Sequence, residues 1–482
     1  MSELAFIFSL LMVGITAVGL YRKLNPQGLL MLSGLLMLTA AFFMQVHSVV
    51  PSKATGMVVF DLVRMIEEVF LSNLARAGFM IMTIGGYVAF MNNIKATNAL
   101  VYISMKPLGL FRRYPYLAAT IVIPIGQLLF ITTPSAAGLG LLLVASVYPV
   151  LISLGVSQLT ALSVIAAATL FDQGPGSANT AMAAELIGQS NVEYFITHQL
   201  PLVIPTSLVV MVLFYFNNRY FDKKDAKKQQ DGILQVSNVT ATSLVEKPDV
   251  PLAFALLPVL PLALLIFFSP FVGLFQPTVT LGTTTAMLFS LFLSLVFVLF
   301  HTRSVRTTFN VFASFWKGMG NVFTSVVTLI VASEVFSKGL IGLGFIDSLV
   351  GYSSHIGLSG LAIAAIFTLI IFGAAMLMGS GNAAFFSFGP LLPGIATQLG
   401  LPVFSLILPL QLAASMGRAA SPIAGVIVAI AGVAGVSSVE LARRNTFPLI
   451  GGIVRNFTSM WVFSISYKFI FIKINFSWNI DS

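Results

Sequence analysis

Arg418 sits in the run Ala413-Ala414-Ser415-Met416-Gly417-Arg418-Ala419-Ala420-Ser421-Pro422, inside a long apolar stretch. A charge at the bilayer midplane costs about 2.5–3.5 kcal/mol even on insertion scales, so such a residue usually has a purpose. A guanidinium offers a carboxylate a two-pronged fork; it also serves as half of a structural ion pair or as a helix-end snorkel. Asp172 holds the matching place in Asp172-Gln173-Gly174-Pro175-Gly176-Ser177-Ala178-Asn179-Thr180. A carboxylate there would pair with Arg418, relay a proton, ligate a cation, or accept from backbone N–H groups. Ser177, Asn179 and Thr180 add two hydroxyls and an amide at that break, with Thr132, Thr133 and Ser135 at a facing one. Ser380 and Asn382 do the same later in the chain, with Ser421 opposite. Such groups either coordinate a carboxylate or cation or glue helices together; the repetition of the whole set favours the ligand. Glu334 is a second proton-coupling candidate and Glu185 a weaker one.

These residues must be positioned by elements that recur. Val192-Glu193 followed by Pro201-Leu202 reappears, at identical spacing, as Val439-Glu440 followed by Pro448-Leu449. Thr133-Pro134-Ser135-Ala136 lines up with 379–383, and the Asp172 break with the Arg418 break. Paired Gly/Pro-interrupted apolar segments in corresponding positions of two halves are the best sequence pointer to a transporter's binding site.

Composition sets the phase in which this happens. The chain has 482 residues, 57% hydrophobic and 9% charged, with a mean hydropathy of +0.97. An ordinary soluble domain carries about 25% charged residues. Plain spans are expected at 4–20, 28–45, 77–91, 202–216, 252–269, 281–300, 321–336 and 449–466. The first lacks a basic start and a small-residue cleavage site, so it reads as a helix and not a signal peptide. With no cysteine, disulfides and thiolate metal sites are excluded. The net charge of +9 fits basic cytoplasmic loops, with no need of nucleic acid.

An outside N-terminus, with the first break of each half a re-entrant hairpin, puts most Lys and Arg inside: Arg22, Lys95, Arg112, Arg113, Arg219, Lys223, Arg303, Arg306, Arg443 and Arg444 among them. The expected fold is an all-α polytopic membrane protein, an inverted-repeat elevator-type transporter with ten spans, two of them broken helices, and two re-entrant hairpins. Residues 1–217 form the first repeat, with a hairpin at about 116–154 and a broken helix at about 157–187. A cytoplasmic linker covers 218–250. The second repeat is 251–466, with its hairpin at about 361–399 and broken helix at about 402–433. Residues 467–482 form an atypical tail unlike a helix end, and 60–77 and 304–319 read as amphipathic interfacial helices.

No His-Glu-x-x-His, Gly-x-Ser-x-Gly or P-loop occurs, so an enzyme is not expected and no cofactor is required. Without an ATP site, transport must run on an ion or solute gradient or on a separate energising subunit. The runs 170–180 and 415–422 resemble the DcuC family of anaerobic C4-dicarboxylate carriers, a resemblance extending from about Leu4 to Ser466. The resemblance implies a multi-pass protein of the bacterial inner membrane that carries succinate, fumarate and malate by proton-coupled symport, efflux or exchange. It also implies a homodimer with an elevator mechanism. In the sodium-coupled relatives of that wider group Ser-Asn-Thr lies at the hairpin tips; here Ser-Ala-Asn-Thr lies at the broken helix, which leaves sodium open. A carrier of another organic anion, such as a monocarboxylate or peptide-like acid, is the alternative within transport; a channel is the alternative outside it.

Overall fold

The computed structural model describes the chain except residues 1, 23, 47–50, 52–53, 112, 231–248, 271, 274–278, 280, 356–358 and 479–482, and the described part is all-helical. Two plain helices open it, α1 (Ser2–Tyr21) and α2 (Pro26–Met44). α2 begins on Pro26 behind Asn25, whose side chain accepts from the Gly28 N–H at 2.8 Å. This satisfies one of the donors that every helix start leaves open. α3 (Val58–Asn73) runs through a π-turn (Leu74–Gly78) into α4 (Phe79–Asn93), and α5 (Ala96–Met105) follows. α6 (Pro115–Thr132) turns at Thr133–Ser135 into α7 (Ala136–Ser146) and α8 (Tyr148–Ser153). α9 (Gln158–Ala168) breaks before α10 (Ala178–Ile187). α11 (Asn191–Tyr194) passes through a second π-turn (Phe195–Gln199) into α12 (Leu200–Gln230).

The same succession then recurs. A 3-10 turn (Leu252–Leu256) and α13 (Leu260–Phe267) precede α14 (Thr283–Thr302). α15 (Val305–Val322) joins α16 (Thr328–Gly342) through a third π-turn (Phe323–Val327), and α17 (Phe345–His355) follows. α18 (Gly360–Met378) turns into α19 (Gly381–Phe388) and α20 (Leu392–Gln398). α21 (Val403–Ala419) breaks before α22 (Gly425–Ala434), and α23 (Ser438–Trp478) closes the chain.

Nine helices among the described residues are long and apolar enough to cross a membrane. Four expectations need correction. The segments 60–77 and 304–319 are the first halves of continuous helices, Val58–Asn93 and Val305–Gly342, because the π-turns carry each helix on without a cap. The span expected at 252–269 contains only a 3-10 turn and the eight residues of α13, with Pro258 and Pro261 between Leu257 and Leu262. The expected linker starts later, since α12 continues to Gln230; its positions 231–248 lie outside the described residues. The tail is helical as far as Trp478.

The extension of α12 has a physical cause. Arg444 of α23 is 2% exposed and reaches Asp222 at 2.6 Å and Asp225 at 2.7 Å, both on α12. Asp222 also accepts from Ser157 (2.7 Å) and Thr160 (2.9 Å) at the start of α9, and from Tyr116 (3.1 Å) on α6. A charged cluster thus pins four helices at one end of the bundle.

Elsewhere helices meet through small residues. α16 packs along α2 and α15 along α4. A Cβ built on Gly318 would stand 2.7 Å from the Gly85 carbonyl oxygen and 2.5 Å from the Ala89 methyl. Backbones this close need a residue without a side chain. Gly318→Val therefore forces α15 off α4 and should cost about 1–3 kcal/mol by overpacking. The expected result is a lower Tm in detergent, and a Tm matching that of the parent would show that the crossing is looser than drawn. The α4–α15 crossing has its own hydrophobic core, formed with α14 and the 3-10 turn around Tyr87, Phe90, Phe254, Leu291 and Phe315. It is a cluster separate from the large core, which joins the two helix turns and both broken helices to α1, α2, α16 and α17.

Candidate functional site

Breaking a helix in hydrocarbon exposes N–H and C=O groups, each costing several kcal/mol unless paired. At the first break the pairing comes from side-chain amides. Gly174 adopts φ +96°, which favours glycine, and its N–H donates to Gln199 Oε1 at 3.2 Å. The same amide exchanges hydrogen bonds with Thr180 Oγ1 at 3.0–3.2 Å. Asn191 donates to the Pro175 carbonyl at 3.0 Å. Ser177 caps α10 by accepting from the Thr180 N–H at 3.3 Å. Ser177 and Thr180 thus hold the break in shape. Asp172 is buried and accepts from Asn179 Nδ2 at 3.0 Å.

At the second break Arg418 does not turn to its own half. Its Nη2 donates to the Thr169 carbonyl at 2.6 Å, and its guanidinium lies 5.8 Å from the Phe130 ring centre. A cation at the end of α9 is favourable, because the last carbonyls of a helix have no partner within it. Gln411, fully buried on α21, donates to the Asp172 carbonyl at 3.3 Å and accepts from the Tyr194 hydroxyl at 2.8 Å. The two broken helices therefore cross and lock at residues 169–172 and 411–418. The opposite charges of Arg418 and Asp172 attract across the crossing, but each makes its hydrogen bonds elsewhere.

The helix turns pack onto this crossing. Ile131 of the first presses on Gly174. Thr133 is buried beside it, and Ser135 is half-buried at the start of α7. At the second turn a Cβ on Gly381 would meet the Ala414 carbonyl oxygen at 2.9 Å, and one on Gly379 the Ile423 carbonyl oxygen at 3.0 Å. These contacts bracket Arg418. Ser380 caps α19 through the Ala383 N–H at 3.1 Å, Asn382 lies half-buried in its first turn, and Ser421 accepts from the Ile423 N–H at 3.3 Å. α7, α10, α19 and α22 all begin at these breaks, so four N-termini with positive dipole ends gather here.

Four buried polar atoms at the crossing have no hydrogen-bond partner in the protein: Arg418 Nε, Ser415 Oγ, Gln173 Oε1 and Asn179 Oδ1. Buried polar groups are nearly always paired. One is a donor of the Arg418 guanidinium itself, the Ser415 hydroxyl can donate or accept, and the other two are amide acceptors on residues next to or bonded to Asp172. The arrangement suits an anionic ligand at Arg418 and a proton or cation near Asp172.

Gln199 and Gln411 were not legible as site residues, and Gln173 was legible only as part of the Asp172 break. The one signal of Gln411 is a lone amide in the apolar run Leu406–Leu412. Glu334 lies apart from the crossing. It accepts from Asn73 at 2.6 Å and pairs with Lys338 at 3.8 Å in a cavity it shares with Glu185 and Arg76.

Comparison with known proteins follows the same lines. Residues 4–464 match the family described as DcuC, C4-dicarboxylate anaerobic carrier. The anaerobic C4-dicarboxylate transporter DcuC of Escherichia coli (strain K12) is 29% identical over 451 residues, covering 92% of this chain and 94% of that protein. The probable anaerobic C4-dicarboxylate transporter DcuC of Vibrio cholerae is 31% identical over 444 residues, covering 91% and 94%. Two solved structures share the fold. MtrF of Neisseria gonorrhoeae, placed in a class of antimetabolite efflux pumps, has a TM-score of 0.62 at 13% identity, covering 92% of this chain and 96% of that one. The YdaH transporter of Alcanivorax borkumensis has a TM-score of 0.60 at 14% identity, covering 90% and 98%.

Proposed function

Because the chain belongs to the DcuC family of C4-dicarboxylate anaerobic carriers, we propose that it is a secondary carrier of succinate, fumarate and malate in the bacterial inner membrane. It is a multi-pass transporter and not an enzyme. The observation that carries the substrate reading is the Arg418 guanidinium, whose Nε has no protein partner at the crossing of two broken helices. One substrate carboxylate takes Arg418, with Ser415 and Ser421 beside it. The other is met by the turn residues Ser380, Asn382, Thr133 and Ser135 and by the helix N-termini. Ser177 and Thr180 contribute by keeping the first break open, while Asn179 holds Asp172.

Asp172 carries the proton in this reading. It is buried, it is bonded to a neutral amide, and it sits within the field of Arg418, so binding of an anion at Arg418 changes its charge balance. Such coupling needs no cofactor, and sodium stays an open alternative at the same acceptors. The elevator and the homodimer are part of the same proposal. Two regions 1–217 and 251–466, joined by the linker, repeat one succession of helices, and the separate α4–α15 core supports a static body. The hairpins and broken helices would be the moving one.

The test is counterflow. Purified protein in liposomes loaded with unlabelled succinate is expected to take up labelled succinate saturably, faster when a proton gradient is imposed and without need of sodium. Absence of counterflow in vesicles that contain folded protein would end the dicarboxylate reading and favour another organic anion. An unsaturable flux would favour a channel.

A further inference from the structure

A second group of charges lies outside the crossing. Arg76 on the first π-turn, Glu185 on α10, and Glu334 and Lys338 on α16 line one cavity of 330 Å³ with Asn73 and Ser337. Arg76 Nη1 meets Glu185 Oε1 at 3.1 Å, and Lys338 Nζ meets Glu334 Oε1 at 3.8 Å. Arg76 Nε also donates to Ser72 at 3.0 Å, and Asn73 donates to Glu334 Oε2 at 2.6 Å. The two carboxylates repel one another across the cavity. They are the sheltered members: their side chains are 28% and 25% exposed, against 60% for Arg76 and 35% for Lys338.

The cavity has a place in the architecture. Arg76 and Asn73 belong to the α3–α4 helix and Glu334 and Lys338 to α16, whereas Glu185 belongs to α10, which carries the first break onward. The cavity draws on both halves, and the positions that the repeat relates to its four charged residues carry no charge. Superposing the first and third π-turns puts Gly85, Ala89 and Ser325 against Glu334, Lys338 and Arg76. Superposing the starts of α10 and α22 puts Gly432 against Glu185. The charges therefore occur at only one of the two places that the repeat relates. Of the matching positions, Gly85 and Ala89 pack against α15 as small residues, so packing there requires no charge.

We propose that this cavity is a second, proton-gated site for a dicarboxylate on its way to or from the crossing. This deepens the carrier reading and rests on it. With both glutamates ionised the cavity is neutral, its two cations are engaged, and a dianion gains nothing there. When Glu185 takes a proton from the adjoining water, Arg76 is released and the cavity gains one positive charge. One carboxylate of the dianion then takes the place of Glu185 on Arg76, and the other lies toward Lys338. Release runs in reverse: the Glu185 acid gives its proton to water and reclaims Arg76. A volume of 330 Å³ lies at the small end of ligand pockets, which run from about 300 to 1,000 Å³. That suits a four-carbon acid. Glu185 faces the charged groups Glu334, Arg76 and Lys338 and the Asn73 amide; Met182, Leu186, Ile330, Ile341 and Pro390 add no charge.

The experiment is succinate counterflow with KM measured from pH 6 to 8. The full-length parent should show KM falling as pH falls. Glu185→Gln imitates the protonated acid, so its KM should be low and flat with pH, and Glu334→Gln, which removes a negative charge from the cavity, should lower KM and keep the parental pH dependence. Arg76→Gln and Lys338→Gln should raise KM about tenfold, and Arg76→Lys should restore most of it. Opposite signs for the acid and base variants are what a purely structural cavity would not produce. If the parent shows counterflow and all four Gln variants keep its KM and pH profile, or all four shift KM alike, the second site is refuted while the carrier stands. If the parent itself shows no counterflow, the carrier reading fails and takes this site with it.

Discussion

Arg418→Gln is expected to lower succinate counterflow by roughly 100-fold or more, in protein that still inserts and folds. Hydrogen bonds to a charged group are worth about 1.5–3 kcal/mol each, or roughly 10- to 150-fold. A carboxylate held by a guanidinium fork uses two of them, and the charge itself goes too. Arg418→Lys is expected to recover little, because an ammonium is a point charge and cannot reproduce the fork. The substitution also takes a donor from the Thr169 carbonyl, now bonded at 2.6 Å. That lowers stability as well, so Tm is measured beside transport. A variant with parental Tm and lost transport assigns Arg418 to the substrate. Counterflow in Arg418→Gln above a tenth of the parental rate would remove it from that role.

Arg444→Met is expected to produce the largest loss of stability. Removing one member of a buried ion pair leaves its partner desolvated and unpaired, at a cost of about 3–5 kcal/mol. Here two partners are left, Asp222 with a side chain 9% exposed and Asp225 at 32%. Ser157, Thr160 and Tyr116 still donate to Asp222, which softens the loss. Thermal unfolding in detergent should show a large fall in Tm for Arg444→Met and almost none for the neighbouring exposed Arg443→Met. Adding Asp222→Asn to Arg444→Met should return part of the fall. If the two arginine variants behave alike, the cluster does not hold α12, α9 and α23 together.

What the sequence disclosed and what it hid divide along a physical line. The breaks were legible because Gly174, Pro175, Gly176, Gly379 and Pro422 interrupt apolar runs, and interruptions are local; Gly417, three residues before the second break ends α21, is helical. The membrane class was legible because hydropathy sums over whole segments. The course of α3 into α4 was hidden. Asp61, Arg64, Glu67 and Glu68 read as a surface helix, and nothing local announces that a π-turn carries the chain on. The true end of α12 was hidden because the residue that fixes it, Arg444, lies more than two hundred positions away. Gln199 and Gln411 were hidden because one amide in a span looks the same whether it pairs with a helix neighbour or with a break. Glu334 was grouped with Asp172 on the strength of charge and depth. Depth along a helix says nothing of which side the carboxylate faces, and it faces Asn73.

The cross-bonding of the two breaks bears on how the protein is made. Thr169 and Asp172 belong to the first half, but Arg418 and Gln411, which satisfy their carbonyls, belong to the second. A ribosome adds roughly 5–20 residues per second, so these groups wait on the order of tens of seconds before their partners are synthesised. During that wait they cannot face lipid unpaired. The first half must stay beside water, the insertion machinery or a chaperone, and it can seat fully only when α21 arrives. Two half-chains made from separate messages should therefore be unstable apart and rescue each other together.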